Sequence, residues 1–317
     1  MTTAKSGLAE LLEEQGPLVV DGALATELEA RGHDLSHPLW SGKTLKEDPE
    51  AIKQVHLDYF LAGADIAITA SYQATTQGLK DHFQIEEDEA KDLIRLSVRL
   101  AQEAKNEAAK HGVDNILNLL VAGSVGPYGA YLANGSEYRG DYHLSAAQFQ
   151  AFHRPRIEAL VEAGVDLLAV ETIPSIHELR AIRDLLQGDF PSTTAWYSCS
   201  LKDASHMADG TSLSELAASL AGYEGQTLAV GFNCVPPGLA LEALEHMRTL
   251  TDLPLVCYPN SGETYTAEQH AWSGDKPTEQ MRDLAVRYRA AGAQLVGGCC
   301  RTTPGDIQSI AKALQDD

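Results

Sequence analysis

Three short stretches, Ala62-Gly63-Ala64-Asp65, Ala163-Gly164-Val165-Asp166 and Ala291-Gly292-Ala293-Gln294, repeat one pattern. Each closes a segment of helical periodicity with a glycine cap and passes at once into an apolar run. Working outward, eight β-rich runs alternate with helical segments: Leu18 to Asp21, Asp65 to Thr69, Leu117 to Ser124, Asp166 to Glu171, Thr194 to Ser200, Leu228 to Asn233, Leu255 to Asn260 and Gln294 to Cys299. Most are near-continuously apolar, as parallel strands buried on both faces must be. Between them, Asp48-Pro49 reads as an N-cap and first helical residue ahead of Ile52, Val55, His56, Tyr59 and Phe60. A second stripe, Ala90, Leu93, Ile94, Ser97, Ala101 and Ala104, runs to a glycine stop at His111-Gly112.

Strand, helix and glycine cap repeated eight times predict an α/β protein, a single (β/α)8 barrel of the TIM type spanning residues 1–317. An open doubly wound sheet is the alternative, since strand order cannot be read from one sequence. The longest irregular stretches, about Arg31 to Lys46, Gly126 to Tyr142 and Ser261 to Lys276, are the expected βα loops over the mouth.

Charge and composition exclude several functions. With 24 Lys+Arg against 45 Asp+Glu the net charge is −21, which argues against nucleic acid or an anionic membrane as partner. Met1 to Glu14 is polar, without an apolar signal core, and no stretch approaches a membrane span. Five cysteines, an odd number without an export signal, favour reduced thiols in the cytoplasm. Small molecules are the expected partners, and the chain is expected as a monomer or small homo-oligomer.

In a barrel, active residues sit where strands end. Those ends carry Asp21, Thr69, Ser71, Ser124, Glu171, Asn233-Cys234, Asn260 and Cys299-Cys300. A disulfide between the adjacent Cys299 and Cys300 would be strained, so they read as two thiols. Cys234 lies far upstream, but a closed barrel brings the ends of strands six and eight to about 10 Å, two strand spacings of roughly 4.8 Å. Three thiolates can then meet one Zn2+ at about 2.3 Å each and leave a fourth position open, the catalytic pattern. Cys199 and Cys257, inside apolar strands, read as core. Gly297 and Gly298 would let the backbone approach the centre. Gly123 to Gly129 fits neither a phosphate loop nor a nucleophile elbow and reads as a shaped turn.

Gly231-Phe232-Asn233-Cys234 with Gly297-Gly298-Cys299-Cys300 resembles the zinc signature of the homocysteine S-methyltransferase family. Asp21-Gly22-Ala23, Ala67 to Tyr72, Ala122 to Gly129, Glu171-Thr172 and Tyr258 to Gly262 resemble family segments in the same order, so the likeness covers nearly the whole chain. In detail it is most similar to the short single-module members. The resemblance implies a zinc barrel that methylates L-homocysteine to L-methionine, with Cys234, Cys299 and Cys300 as zinc ligands. Short members use a sulfonium donor, S-methylmethionine first and S-adenosylmethionine second; betaine-type members share the zinc motif and differ in the donor pocket.

The substrate's ammonium group needs an anion, and Asp21 and Glu171 are the candidates. Thr69, Ser71, Asn233 and Asn260 are expected at the substrate, with Thr69 and Ser71 suited to its carboxylate. Tyr72 matches a family position near the donor, and Tyr128, Tyr131 and Trp272 lie on loops expected over the mouth. A zinc hydrolase and a non-catalytic zinc-binding protein are the competing classes; three thiolates make zinc a poor Lewis acid for the first.

Overall fold

The computed structural model describes residues 4–113, 116–266, 271–273 and 281–315. Eight parallel strands follow one another around a barrel: β1 (Leu18–Val19), β2 (Ile66–Ile68), β3 (Leu120–Val125), β4 (Leu167–Ile173), β5 (Ala195–Cys199), β6 (Thr227–Asn233), β7 (Leu255–Tyr258) and β8 (Ala293–Val296). Neighbours in sequence are neighbours in space, and β1 pairs in parallel with β8. The ring closes through a parallel bridge from Val20 to Ile66 on β2, which excludes the doubly wound alternative. No open edge remains between the first and last strands.

The strand length expected at Leu117 is corrected. Ile116–Asn118 is a single 3-10 turn and Leu117 is 87% exposed, so the third strand starts at Leu120. An apolar run that meets no neighbouring strand gains nothing from extended pairing. The helical expectations hold: Pro49–Leu61 starts behind Asp48, whose side chain accepts from Ala51 N at 3.3 Å, and Glu87–Lys110 stops at His111 and Gly112. Gly63, Gly164 and Gly292 sit at φ of 102, 82 and 100°, the left-handed geometry that their repeated position requires.

Side chains alternate between two apolar layers. On β4, Leu167 and Ala169 point into the barrel with Trp196, Leu228 and Leu295, while Leu168 and Val170 pack under the outer helices. The helix Ala4–Gln15 precedes β1 and inserts Leu8 and Leu11 into the inner layer, plugging the barrel. Among the described residues no helix is long and apolar enough to cross a membrane.

Glycines hold the frame at its tightest points. A Cβ on Gly231 of β6 would lie 1.8 Å from the carbonyl oxygen of Val256, and one on Gly297 would lie 2.6 Å from that of Val20. Gly298 is equally crowded, by Thr302 Oγ1 at 2.4 Å. Gly231 thus serves the approach of β6 to β7 and Gly297 that of β8 to β1, while Gly298 lines the cavity beside Cys299 and Cys300.

Candidate active site and metal centre

The C-terminal ends of β1, β4, β6, β7 and β8 surround a cavity of about 940 Å³, counting the space open at its mouth. Asp21, Thr69, Tyr72, Glu171, Asn233 and all three cysteines line it. The chain folds back on itself to bring the sulfurs together. Cys234 N donates to Tyr258 O (3.3 Å), Cys299 N to Pro259 O (2.7 Å), and Ser261 N to Cys300 O (3.0 Å). The loop after β7 is thus stitched to both sulfur-bearing loops. Asn260 N adds a bond to Val235 O at 3.0 Å.

The Sγ atoms of Cys234, Cys299 and Cys300 all lie within 4.8 Å of one another. Cys234 and Cys299 are joined as a disulfide with Cα atoms 5.5 Å apart, and Cys300 Sγ is 3.7 Å from Cys234 Sγ. This departs from the expectation of three separate thiols: barrel closure puts these two sulfurs within bonding reach. Once the pair is reduced, the same three atoms form a compact sulfur donor set that fits a thiophilic metal ion. Burial pushes the Cys300 thiol up to about 12, so it ionises only where a cation takes up the charge. Cys199 and Cys257 are wholly buried in strands, as core residues.

Asn233 stands beside this cluster as a clamp. Its Oδ1 accepts from Thr172 N (2.8 Å) and Ser198 Oγ (2.7 Å), and its Nδ2 donates to Thr172 Oγ1 (2.8 Å). Thr172 and Cys234 both adopt positive φ, 57 and 53°, where non-glycine residues are strained. The clamp fixes the ends of β4 and β6 in the geometry that turns Cys234 toward its partners.

The two expected carboxylates also reach the cavity. Asp21 Oδ2 accepts from Ile68 N at 2.9 Å. Glu171 accepts from Ser124 Oγ on one oxygen and from Tyr258 OH (3.1 Å) on the other. Among the described residues neither is ion-paired to Lys or Arg within 4.0 Å. Burial, with the mutual repulsion of the two charges, holds Asp21 well above the usual carboxylate range. Burial lifts Glu171 to about 7, against the pull of its two hydroxyl donors. The cavity thus holds two buried carboxyls, neither in a direct ion pair, with the buried Arg156 acting on Glu171 only through its charge.

Other expected residues fall differently. Thr69 and Ser71 share a bond of 2.8 Å, Ser71 Oγ donates to Ser124 O, and Ser124 N donates to Thr69 Oγ1. This knot ties the end of β2 to β3; Ser71 does not line the cavity, and neither does Asn260. Tyr128 and Tyr131 do not line the cavity but pack with Tyr142 and Phe152 in an aromatic cluster. Trp272 pairs with Tyr265 in a small hairpin, and its side chain lies outside the described residues. Trp40, Tyr138 and Glu137 line the cavity without having been singled out. Their loops gave no periodic signal; an acid and two aromatics within the expected lid segments were the available clue.

Tyr72 packs its ring where a Cβ on Gly126 would sit, 2.6 Å away. Its carbonyl oxygen accepts from the buried Arg156 at 2.8 Å. The shaped turn after β3 therefore seats Tyr72 on the cavity wall.

Fold and site together define a (β/α)8 barrel enzyme with a sulfur-rich centre at its catalytic face. A sequence model of the homocysteine S-methyltransferase family matches residues 18–314. Homocysteine S-methyltransferase of Escherichia coli is 53% identical over 96% of this chain and 97% of its own. Homocysteine S-methyltransferase YbgG of Bacillus subtilis is 47% identical over 96% of each. The crystal structure of the homocysteine methyltransferase MmuM from Escherichia coli in its metallated form superposes with a TM-score of 0.87, at 50% identity over 96% of this chain and 99% of that one. The chain belongs to the homocysteine S-methyltransferase family and is a methyltransferase.

Proposed function

We propose that this protein transfers a methyl group from a sulfonium donor, S-methylmethionine before S-adenosylmethionine, to the thiol of L-homocysteine, forming L-methionine. The observation that carries the reading is the meeting of three cysteine sulfurs and two unpaired carboxyls in one cavity. Cys234, Cys299 and Cys300, reduced, would hold Zn2+, which would supply the charge that makes a substrate thiol ionise and act as a nucleophile at neutral pH. The metallated form of the Escherichia coli relative supports a metal at these positions. With the acceptor activated in this way, no general base beside the sulfur is needed.

The remaining residues bind and orient. Asp21 and Glu171 would hold the α-ammonium, Glu171 through a carboxylate already aimed by Ser124 and Tyr258. Thr69 lines the cavity and would meet the acceptor's carboxylate, with Ser71 behind it bracing the turn. Asn233 positions Cys234, Asn260 braces the loop after β7, and Tyr72 would flank the donor. Attack is in line: a new S–CH3 bond forms on homocysteine as the donor's S–CH3 bond breaks and its electron pair returns to the leaving sulfur. With S-methylmethionine both products are methionine. Alignment at about 3–3.5 Å between sulfur and methyl is the larger part of the work.

The barrel is read as one functional domain with small-molecule partners, acting in the cytoplasm, as a monomer or small homo-oligomer. Replacing Glu171 with Ala tests the assignment. Homocysteine affinity should fall at least about tenfold, as for loss of a buried charged partner, with bound metal unchanged. A protein that merely stores zinc would lose nothing.

A further inference from the structure

Glu137 has no role in the reading above, yet it is 7% exposed and lines the same cavity. Its Oε2 is buried with no hydrogen-bond partner. The turn that carries it, Ser136–Tyr138, is fixed in place: Ser200 Oγ donates to Glu137 O at 2.8 Å, and a Cβ on Gly129 would lie 2.6 Å from Glu137 N. The nearest cation, Arg139, is turned to solvent and spends its guanidinium on Asp141, at 2.7 Å, and on Asn134 O and Ser136 Oγ. A carboxylate oxygen left bare in a confined cavity is costly unless a ligand completes it.

Glu137, Tyr72 and Cys300 all line that one cavity. Glu137 shares the cavity with the sulfur centre and the Tyr72 ring and, unlike Asp21 and Glu171, is not taken up by the acceptor's ammonium in the reading above. We infer that Glu137 is the counter-charge for the cationic methyl donor, its bare Oε2 meeting the sulfonium beside the Tyr72 ring. This deepens the methyl-transfer reading and rests on it. The donor is a cation before transfer and a neutral thioether afterwards, so the attraction is spent when the methyl leaves. Glu137 thus binds the substrate form more tightly than the product form, setting donor affinity and aiding product release.

The test is calorimetric titration of S-methylmethionine, without homocysteine, into the reduced, zinc-loaded protein and into Glu137→Gln and Glu137→Asp, with donor and homocysteine KM measured alongside. Glu137→Gln, nearly the same shape without the charge, should bind S-methylmethionine at least tenfold more weakly. Its homocysteine KM and its affinity for methionine should stay within twofold, and kcat within threefold. Glu137→Asp should recover part of the loss. Unchanged donor affinity in Glu137→Gln, or a loss shared by methionine, overturns the inference; a rise in homocysteine KM alone reassigns Glu137 to the acceptor and overturns it equally. Failure of the wild-type protein to bind or use any sulfonium overturns the donor reading beneath it.

Discussion

Tyr258 on β7 donates its hydroxyl to Glu171 Oε2 on β4 at 3.1 Å, across the barrel mouth. Trp196 Nε1 donates to that same hydroxyl at 3.0 Å, and the two rings meet edge to face. The Tyr258 proton is therefore committed to Glu171. A residue of the inner core thus orients a carboxylate of the cavity and ties it to the barrel frame.

If Glu171 holds the acceptor's ammonium as proposed, this relationship makes acceptor binding pH-dependent. Burial outweighs the hydroxyl donors and the charge of Arg156 and lifts Glu171 to about 7. Only the carboxylate attracts an ammonium, so kcat/KM for homocysteine should fall as pH drops through 7, toward tenfold per unit. Glu171→Gln should lose that limb. Tyr258→Phe removes a donor that favours the charged form and should move the inflection upward by about one unit. A profile identical in all three proteins removes Glu171 from the acceptor site.

The same shift carries a stability consequence of determinate sign. The folded state holds the Glu171 proton up to about 7, the unfolded chain only to its ordinary value of 4.5. Folding therefore takes up a proton between those values, and stability falls as pH rises through the window. Glu171→Gln should gain on wild type in denaturant midpoint at pH 8 relative to pH 4. Midpoints that move in parallel at both pH values contradict this.

Single substitution of Cys234, Cys299 or Cys300 by Ala should reduce bound zinc from about one per chain to a small fraction, since two thiolates rarely hold it. Cys199→Ala and Cys257→Ala should keep the metal and cost stability only, through a small cavity. Metal analysis of the reduced proteins decides the ligand set.

Asn233→Ala strips partners from Thr172 N, Thr172 Oγ1 and Ser198 Oγ. Unpaired buried groups cost about 1–3 kcal/mol each, so a loss of about 3 kcal/mol in unfolding free energy is expected. Zinc affinity should drop by about tenfold, since Cys234 loses the clamp beside it. Asn233→Ala with wild-type stability and wild-type zinc affinity would deny Asn233 a structural role.

Gly231→Ala should fail to give a folded barrel, because its Cβ would enter the Val256 carbonyl. Gly188→Ala, in the helix Ile176–Asp189 with nothing within 4 Å, should be neutral or stabilise by about 0.5 kcal/mol. Comparable melting temperatures for the two variants would refute the crowding argument.

The barrel was legible because its evidence is local: glycine caps such as Gly63 and Gly164 and apolar runs such as Leu167–Ile173 report their own geometry. The three cysteines were legible because strand ends in a barrel share one mouth. Crowding at Gly231 and Gly297 was not, since it depends on the backbone of another strand, β7 for Gly231 and β1 for Gly297. Ser71 and Asn260 stand at strand ends like Asp21, but whether a side chain points into the cavity or into the frame is decided by loop geometry that no periodicity encodes. Glu137 and Trp40 escaped for the same reason: each reaches the cavity from a loop without repeating pattern.

The central claim is sulfonium-to-thiol methyl transfer at the three-cysteine centre. Its most direct test is methionine formation from L-homocysteine by the reduced, zinc-replete protein, with S-methylmethionine, S-adenosylmethionine and betaine offered in parallel. The account predicts turnover with a sulfonium, fastest with S-methylmethionine, abolished by chelation and in Cys234→Ala. Absence of turnover with every donor despite one bound zinc, or turnover that survives chelation, would contradict it.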